Sequence, residues 1–165
     1  MENGLDQLRW RWDQWKTVLA SLEDHGIPRC FKPRNVAFIA LHNFSDASEN
    51  HGYGVVSYLR LVNDRDQIHC SFVMSNPRVK PLKAGMTIPK LELTAATLAV
   101  TMSELIEKEL DGRLGIDRTY FWTDSYLVLR YIHNERKRFI KFVANRVAVV
   151  REGPTQTNGI TCGPS

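Results

Sequence analysis

The chain has 165 residues, of which 43% are hydrophobic and 24% charged, and it carries a formal net charge of +4. This is the size and composition of a single globular domain that can bury a core without disulfide or metal staples. No apolar run approaches the ~18 residues needed to cross a bilayer, so a membrane partner is not expected.

The first element is a helix from Leu5 to Leu22, marked by the helical rhythm of Leu5, Leu8, Trp12, Trp15, Leu19 and Leu22. The segment before it carries acids and no apolar signal core, which argues against export. His25-Gly26-Ile27-Pro28 ends the helix, and Pro33 keeps the next stretch extended. Val36 to Leu41 is an apolar run of strand length, followed by a polar turn from Asn43 to Ser48. Gly52 to Leu61 reads as a second strand and Gln67 to Met74 as a third, with Asn63-Asp64-Arg65-Asp66 between them. Pro77, Pro81 and Gly85 mark a loop. Pro89 then suits the first turn of a helix from about Lys90 to Leu110, which Gly112 and Gly115 stop. Thr119 to Trp122 is a short buried strand. Asp124-Ser125 caps a helix to His133, and a last helix spans Ile140 to Val150. Gly153 to Ser165 has little apolar content and no periodicity and is expected to be disordered. The domain division is therefore a connector helix and linker (1–33), a folded domain (34–151) and a tail (152–165).

The order β-β-β-α-β-α-α gives a mixed α/β sheet, a three-stranded meander followed by helix, strand and helix, with helices on its faces. In such sheets functional groups gather at strand ends near a switch in strand order. Asp46 follows the first strand, Asp124 ends the fourth, and Glu92 sits in the first turn of the long helix. If the first and fourth strands are neighbours, the three carboxylates converge, and packed like charges make sense mainly around a cation. Singly, each has an ordinary explanation: a turn for Asp46, a cap for Asp124, the helix dipole for Glu92.

Basic side chains cluster as well. Arg130, Arg136, Lys137, Arg138, Lys141, Arg146 and Arg151 lie in one stretch, and Arg78, Lys80, Lys83 and Lys90 in another. Such clusters are the footprint of a polyanion or simply a solvated surface. Cys30, Cys70 and Cys162 are odd in number and widely spaced, which argues against disulfides or a zinc site and favours an intracellular, cytoplasmic or nuclear location.

The segments FSDAS (Phe44 to Ser48), TIPKLELTAA (Thr87 to Ala96) and FWTDS (Phe121 to Ser125) resemble the carboxylate motifs of the ribonuclease H domain of reverse transcriptases. IPRCFKP, HGYGVVSYLR and RFIKFVANRV resemble parts of BEL/Pao-type retrotransposon polyproteins, so the likeness runs from about Trp10 to Arg151. It implies the ribonuclease H-like fold and magnesium-dependent hydrolysis of RNA in RNA–DNA hybrids, within a polyprotein that also carries a polymerase domain. Two Mg2+ ions would sit on the catalytic residues Asp46, Glu92 and Asp124. Asp46 would bridge them, with Glu92 and Asp124 on the leaving-group side. Ser45 and Ser48 would order the first loop. Ser48, Arg136, Lys137, Arg138 and Lys141 would contact the nucleic acid, and the tryptophans of the first helix would serve packing. The likeness stops after Arg151. The family's fourth carboxylate, final strand and final helix have no counterpart in GPTQTNGITCGPS, and Glu152 is the one acid near that point. The resemblance thus implies a C-terminally truncated domain with an incomplete site. A catalytically inactive nucleic-acid-binding or protein-interaction remnant is the alternative.

Overall fold

A computed structural model describes residues 3–21, 35–81, 85–134, 138–153 and 160–162. The chain divides into two compact units, Met1–Cys30 and Phe31–Ser165. Within the first, helix α1 spans Asn3–Ala20. Cys30, Lys83, Arg136, Lys137 and the linker prolines lie outside the described residues.

The second unit is built on a five-stranded sheet in the order β3-β2-β1-β4-β5. Strands β1 (Val36–Ser48), β2 (Gly52–Asn63) and β3 (Ile68–Val79) form the antiparallel meander. Strand β4 (Arg118–Thr123) lies parallel to β1 on its other side. A parallel neighbour cannot follow a tight turn and needs a crossover. Helix α2 (Ile88–Leu110) supplies it, packing over β1, β2 and β4 on its way from the β3 edge. Helices α3 (Tyr126–His133) and α4 (Lys141–Glu152) follow.

Alternation along the strands decides which side is buried. Leu41, Asn43 and Ser45 of β1, Val55, Leu59 and Leu61 of β2, and Phe121 of β4 face the helices. Toward one end, Leu93, Ala96, Val100 and Met102 of α2 meet Val55, Phe121, Val128 of α3, and Val143, Val147 and Val150 of α4. Toward the other end, Ile39, Leu41, Leu59, Leu61, Ile106 and Leu114 form a second cluster. Each fully buried aliphatic side chain contributes about 1.5–3 kcal/mol. Arg146 ties α4 to α2: its guanidinium lies 3.6 Å from the Phe142 ring centroid and its Nε donates to Thr94 Oγ1 at 3.0 Å. Arg151 donates to the carbonyls of Ile132 and Asn134. These two cations of the basic stretch therefore serve packing.

Several elements depart from the sequence reading. The polar segment Asn43–Ser48 is not a turn but the second half of β1. Its buried polar groups are satisfied across the sheet: Ser57 Oγ donates to Asn43 Oδ1 at 2.6 Å, and Ser45 Oγ donates to the Trp122 carbonyl at 3.2 Å. β3 continues through Pro77, which an edge strand tolerates because one side of its backbone has no ladder partner. α2 begins at Ile88, so Glu92 lies beyond its first turn.

A short fifth strand is present. Ile160–Cys162 forms β5, parallel to β4, where the tail was expected to be disordered and the sheet to end at β4. A strand this short leaves no alternation to read. No helix follows β5 among the described residues.

Gly52 opens β2 where the β3 backbone crosses closest, and a Cβ there would lie 2.0 Å from the Arg78 carbonyl oxygen. Gly52→Ala is expected to cost about 1–3 kcal/mol by forcing the strands apart. A chemical-denaturation midpoint checks this, and an unchanged midpoint would mean that β3 steps aside freely.

Candidate functional site

The parallel pairing of β1 and β4 sets the site. Ser45 and Thr123 are register partners, so Asp46 and Asp124, one residue further along, stand side by side. Neighbouring strands lie ~4.8 Å apart. Both carboxylate residues are exposed, whereas Ser45 and Thr123 beside them are buried. Asp46 Oδ1 accepts from the Ala47 N–H at 2.6 Å, which orients the carboxylate.

Asp46 and Asp124 line one open groove of about 880 Å3. Its other contributors include Phe44, Trp122, Tyr53, Ser48, His51 and Arg78. The floor is continuous with the sheet face opposite the helices. There Phe44 stacks on Trp122 with ring centroids 5.9 Å apart, and Tyr58 and Phe72 continue the aromatic row, with Phe44, Tyr58 and Phe72 exposed.

Glu92 approaches from the helix side. Ser125 Oγ donates to Glu92 Oε2 at 2.5 Å and accepts from the Val128 N–H at 3.3 Å. One hydroxyl therefore caps α3 and holds Glu92. The cap is Ser125, not Asp124, which directly follows β4. Asp46 and Asp124 share the groove, while Glu92 is held by Ser125 and is not among the lining residues. Among the described residues, no three Asp, Glu, His or Cys side chains are close enough together to encircle an ion. Hard carboxylate oxygens with room for water and phosphate nonetheless fit Mg2+, which is commonly held by one or two carboxylates plus substrate oxygens.

The proposed substrate contacts are spread out. Ser48 lines the groove and its Oγ lies 3.1 Å from His51 Nδ1. Arg138 and Lys141 are exposed at the start of α4, and Arg136 and Lys137 lie outside the described residues. Ser45 does not order a loop; it binds β1 to β4. The sequence reading missed Ser125 as the holder of Glu92, although a serine directly after the aspartate at a helix start was a signal for it. It gave His51 no site role, although HGYGVVSYLR begins there, and counted Arg78 only as part of a basic stretch.

His42 lies on the same sheet face, stacked against Tyr120 and Trp122. Its Nδ1 accepts from Trp122 Nε1–H at 3.0 Å, so the neutral ring carries its proton on Nε2. That nitrogen is buried with no hydrogen-bond partner among the described residues. Burial, and then the nearby Arg60 guanidinium, hold the His42 pKa below its ordinary 6.5.

A sequence model of the Pao retrotransposon-like RNaseH-like domain matches residues 4–125. No curated protein matches the chain. Among solved structures, the chain is similar to ribonuclease H1 of Halobacterium salinarum NRC-1, with 19% identity, 76% of this chain and 86% of that one covered, and a TM-score of 0.47. The N-terminal ribonuclease H domain of a Mycobacterium tuberculosis protein is similar at 10% identity over 76% and 81%, with a TM-score of 0.47. LC11 ribonuclease H1 in complex with an RNA/DNA hybrid is similar at 15% identity over 76% and 85%, with a TM-score of 0.45.

Protonating His42 would put a second N–H against the Trp122 donor. Because its folded pKa is lowered, the unfolded chain takes up the proton first as pH falls. The contribution is complete above about pH 6.5 and is lost below it, down to the lower folded pKa. Denaturation midpoints at about pH 8 and about pH 5 are expected to differ less in His42→Phe than in the parent chain. An equal difference in both would assign the acid sensitivity elsewhere.

Proposed function

Because the chain belongs to the Pao retrotransposon-like RNaseH-like domain family, we propose that it hydrolyses the RNA strand of RNA–DNA hybrids, with Mg2+ held by Asp46 and Asp124 and with Glu92 beside them. The observation that carries this reading is the placement of Asp46 and Asp124 directly after the last parallel pair of β1 and β4, in one open groove.

Mg2+ in such a site activates water and stabilises the leaving oxygen of a phosphodiester. The residues of the chain do the rest. Asp46 and Asp124 supply hard oxygens from rigid strand ends, so little reorganisation is needed on binding. Glu92, fixed by Ser125, adds a third carboxylate. Arg78 at the groove, and Arg138 and Lys141 on the helical side, offer cations to the phosphates on either side of the bond. Recognition would follow the shape of the hybrid and its 2′-hydroxyls, without base preference.

One observation favours a second reading, a domain that binds hybrids without cutting them. The groove is lined by two of the three carboxylates, and Glu92 is engaged by a hydroxyl.

Cleavage of a labelled hybrid, with Mg2+ and with a chelator, separates the two. The expected result is Mg2+-dependent cutting that falls at least ~100-fold in Asp46→Asn, while hybrid binding persists. Binding without cutting in a folded sample would establish the second reading. Equal cutting by Asp46→Asn would remove the site altogether.

A further inference from the structure

α1 carries a strip of large apolar side chains on an exposed surface. Leu8, Trp12, Trp15 and Leu19 are exposed by 62%, 58%, 52% and 37%. Positions 8, 12, 15 and 19 follow the alternating three- and four-residue spacing that keeps side chains on one seam of a helix pair. The Trp12 and Trp15 rings stack on each other, with centroids 5.2 Å apart and planes at 26°. The strip is therefore preformed, and its rotamer entropy is already partly lost before any partner arrives.

The charges beside the strip say what fits it. In the register set by the strip, Arg9, Arg11 and Lys16 occupy the flanking positions, all exposed. Asp6 and Asp13 fall on the outer side. Lys16 pairs with Asp13 at 2.6 Å, but both side chains are well exposed and such a pair is weak. Among the described residues, no acid flanks the strip. A second copy would therefore set Arg11 against Lys16 in a parallel pair, or Arg9 against Lys16 in an antiparallel one, and like charges at these positions disfavour association.

We propose that this strip is a docking face for a partner helix whose apolar seam is bordered by carboxylates. The Trp12 and Trp15 rings supply rigid apolar anchors, the residue type that dominates interface energetics. Arg9, Arg11 and Lys16 select the partner by charge. Nucleic acid, which the same cations attract, is disfavoured as the occupant. The two indoles are stacked on each other, so each has one face already covered, and bases would have to compete for it. The strip shares no residue with the carboxylate groove and does not depend on catalysis.

The test uses the full chain and two synthetic helices about three heptads long, with leucine on the seam and either glutamate or lysine on both flanks. Calorimetric titration is expected to give micromolar binding of the glutamate-flanked helix. Binding of the lysine-flanked one is expected to be at least about tenfold weaker. Trp12→Ala and Trp15→Ala should each weaken the first by about tenfold, and because both residues are exposed the fold should survive. Asp46→Asn should bind the helix like the parent chain. Equal binding of the two helices, no binding of either, self-association that Trp12→Ala abolishes, or loss of hybrid binding in Trp12→Ala would each overturn the proposal.

Discussion

The parallel pairing of β1 with β4 is the constraint on which the rest of the second unit depends. The meander could form without it, but neither carboxylate would then have a neighbour. Its register is held by side chains as well as by the ladder. Ser45 donates to the Trp122 carbonyl, and Asn43 reaches the Tyr120 carbonyl at 3.5 Å while accepting from Ser57. All three polar residues are buried, so a slip by one position would leave them unsatisfied as well as turning the strand inside out. Polar residues in the core thus choose one register among several that hydrophobicity alone would allow. Asp117 adds to this: its carboxylate accepts from the Ile39 N–H at 2.7 Å, fixing where β4 begins against β1.

The helical layer is set by the same strands. α2 is seated by Leu93, Ala96 and Val100 over Val55 and Phe121, and small residues let it come close. Its far end is pinned to β4 through Glu107, which accepts from Thr119 at 2.6 Å and from Ser103 at 3.1 Å. With both ends referenced to β4, the position of Glu92 along the helix follows. Ser125 completes the arrangement because it belongs to the turn that leaves β4. The three acidic residues therefore come from three elements, yet all are positioned against one strand.

Much of this was legible in the sequence, and the limits are physical. Val36–Leu41 was found as an apolar run of strand length, Gly52–Leu61 from its tyrosines and valines, and the apolar face of α2 from periodicity, which reports burial on one side. Asn43–Ser48 was read as a turn because its buried members are polar, and only the cross-strand partners, far away in sequence, show that burial costs them little. β5 was missed because three residues carry no period. Asp46, Glu92 and Asp124 stood out through the short motifs around them. Their convergence was legible only on the condition that the first and fourth strands are neighbours, because β2, β3 and α2 lie between those strands in sequence. Arg146 and Arg151 were counted among free cations because sequence gives charge without partners, and their partners are a ring, a hydroxyl and carbonyls.

The four tryptophans are divided unevenly between the two units. Trp10, Trp12 and Trp15 stand exposed on α1, whereas Trp122 is partly buried at the groove and donates to His42. Indole emission shifts to shorter wavelength away from water, so the chain carries two spectrally distinct intrinsic probes. The red component reports on the helical unit, and the blue one on the groove and the protonation state beside it. Events at one unit can thus be watched separately from events at the other without attaching a label to either.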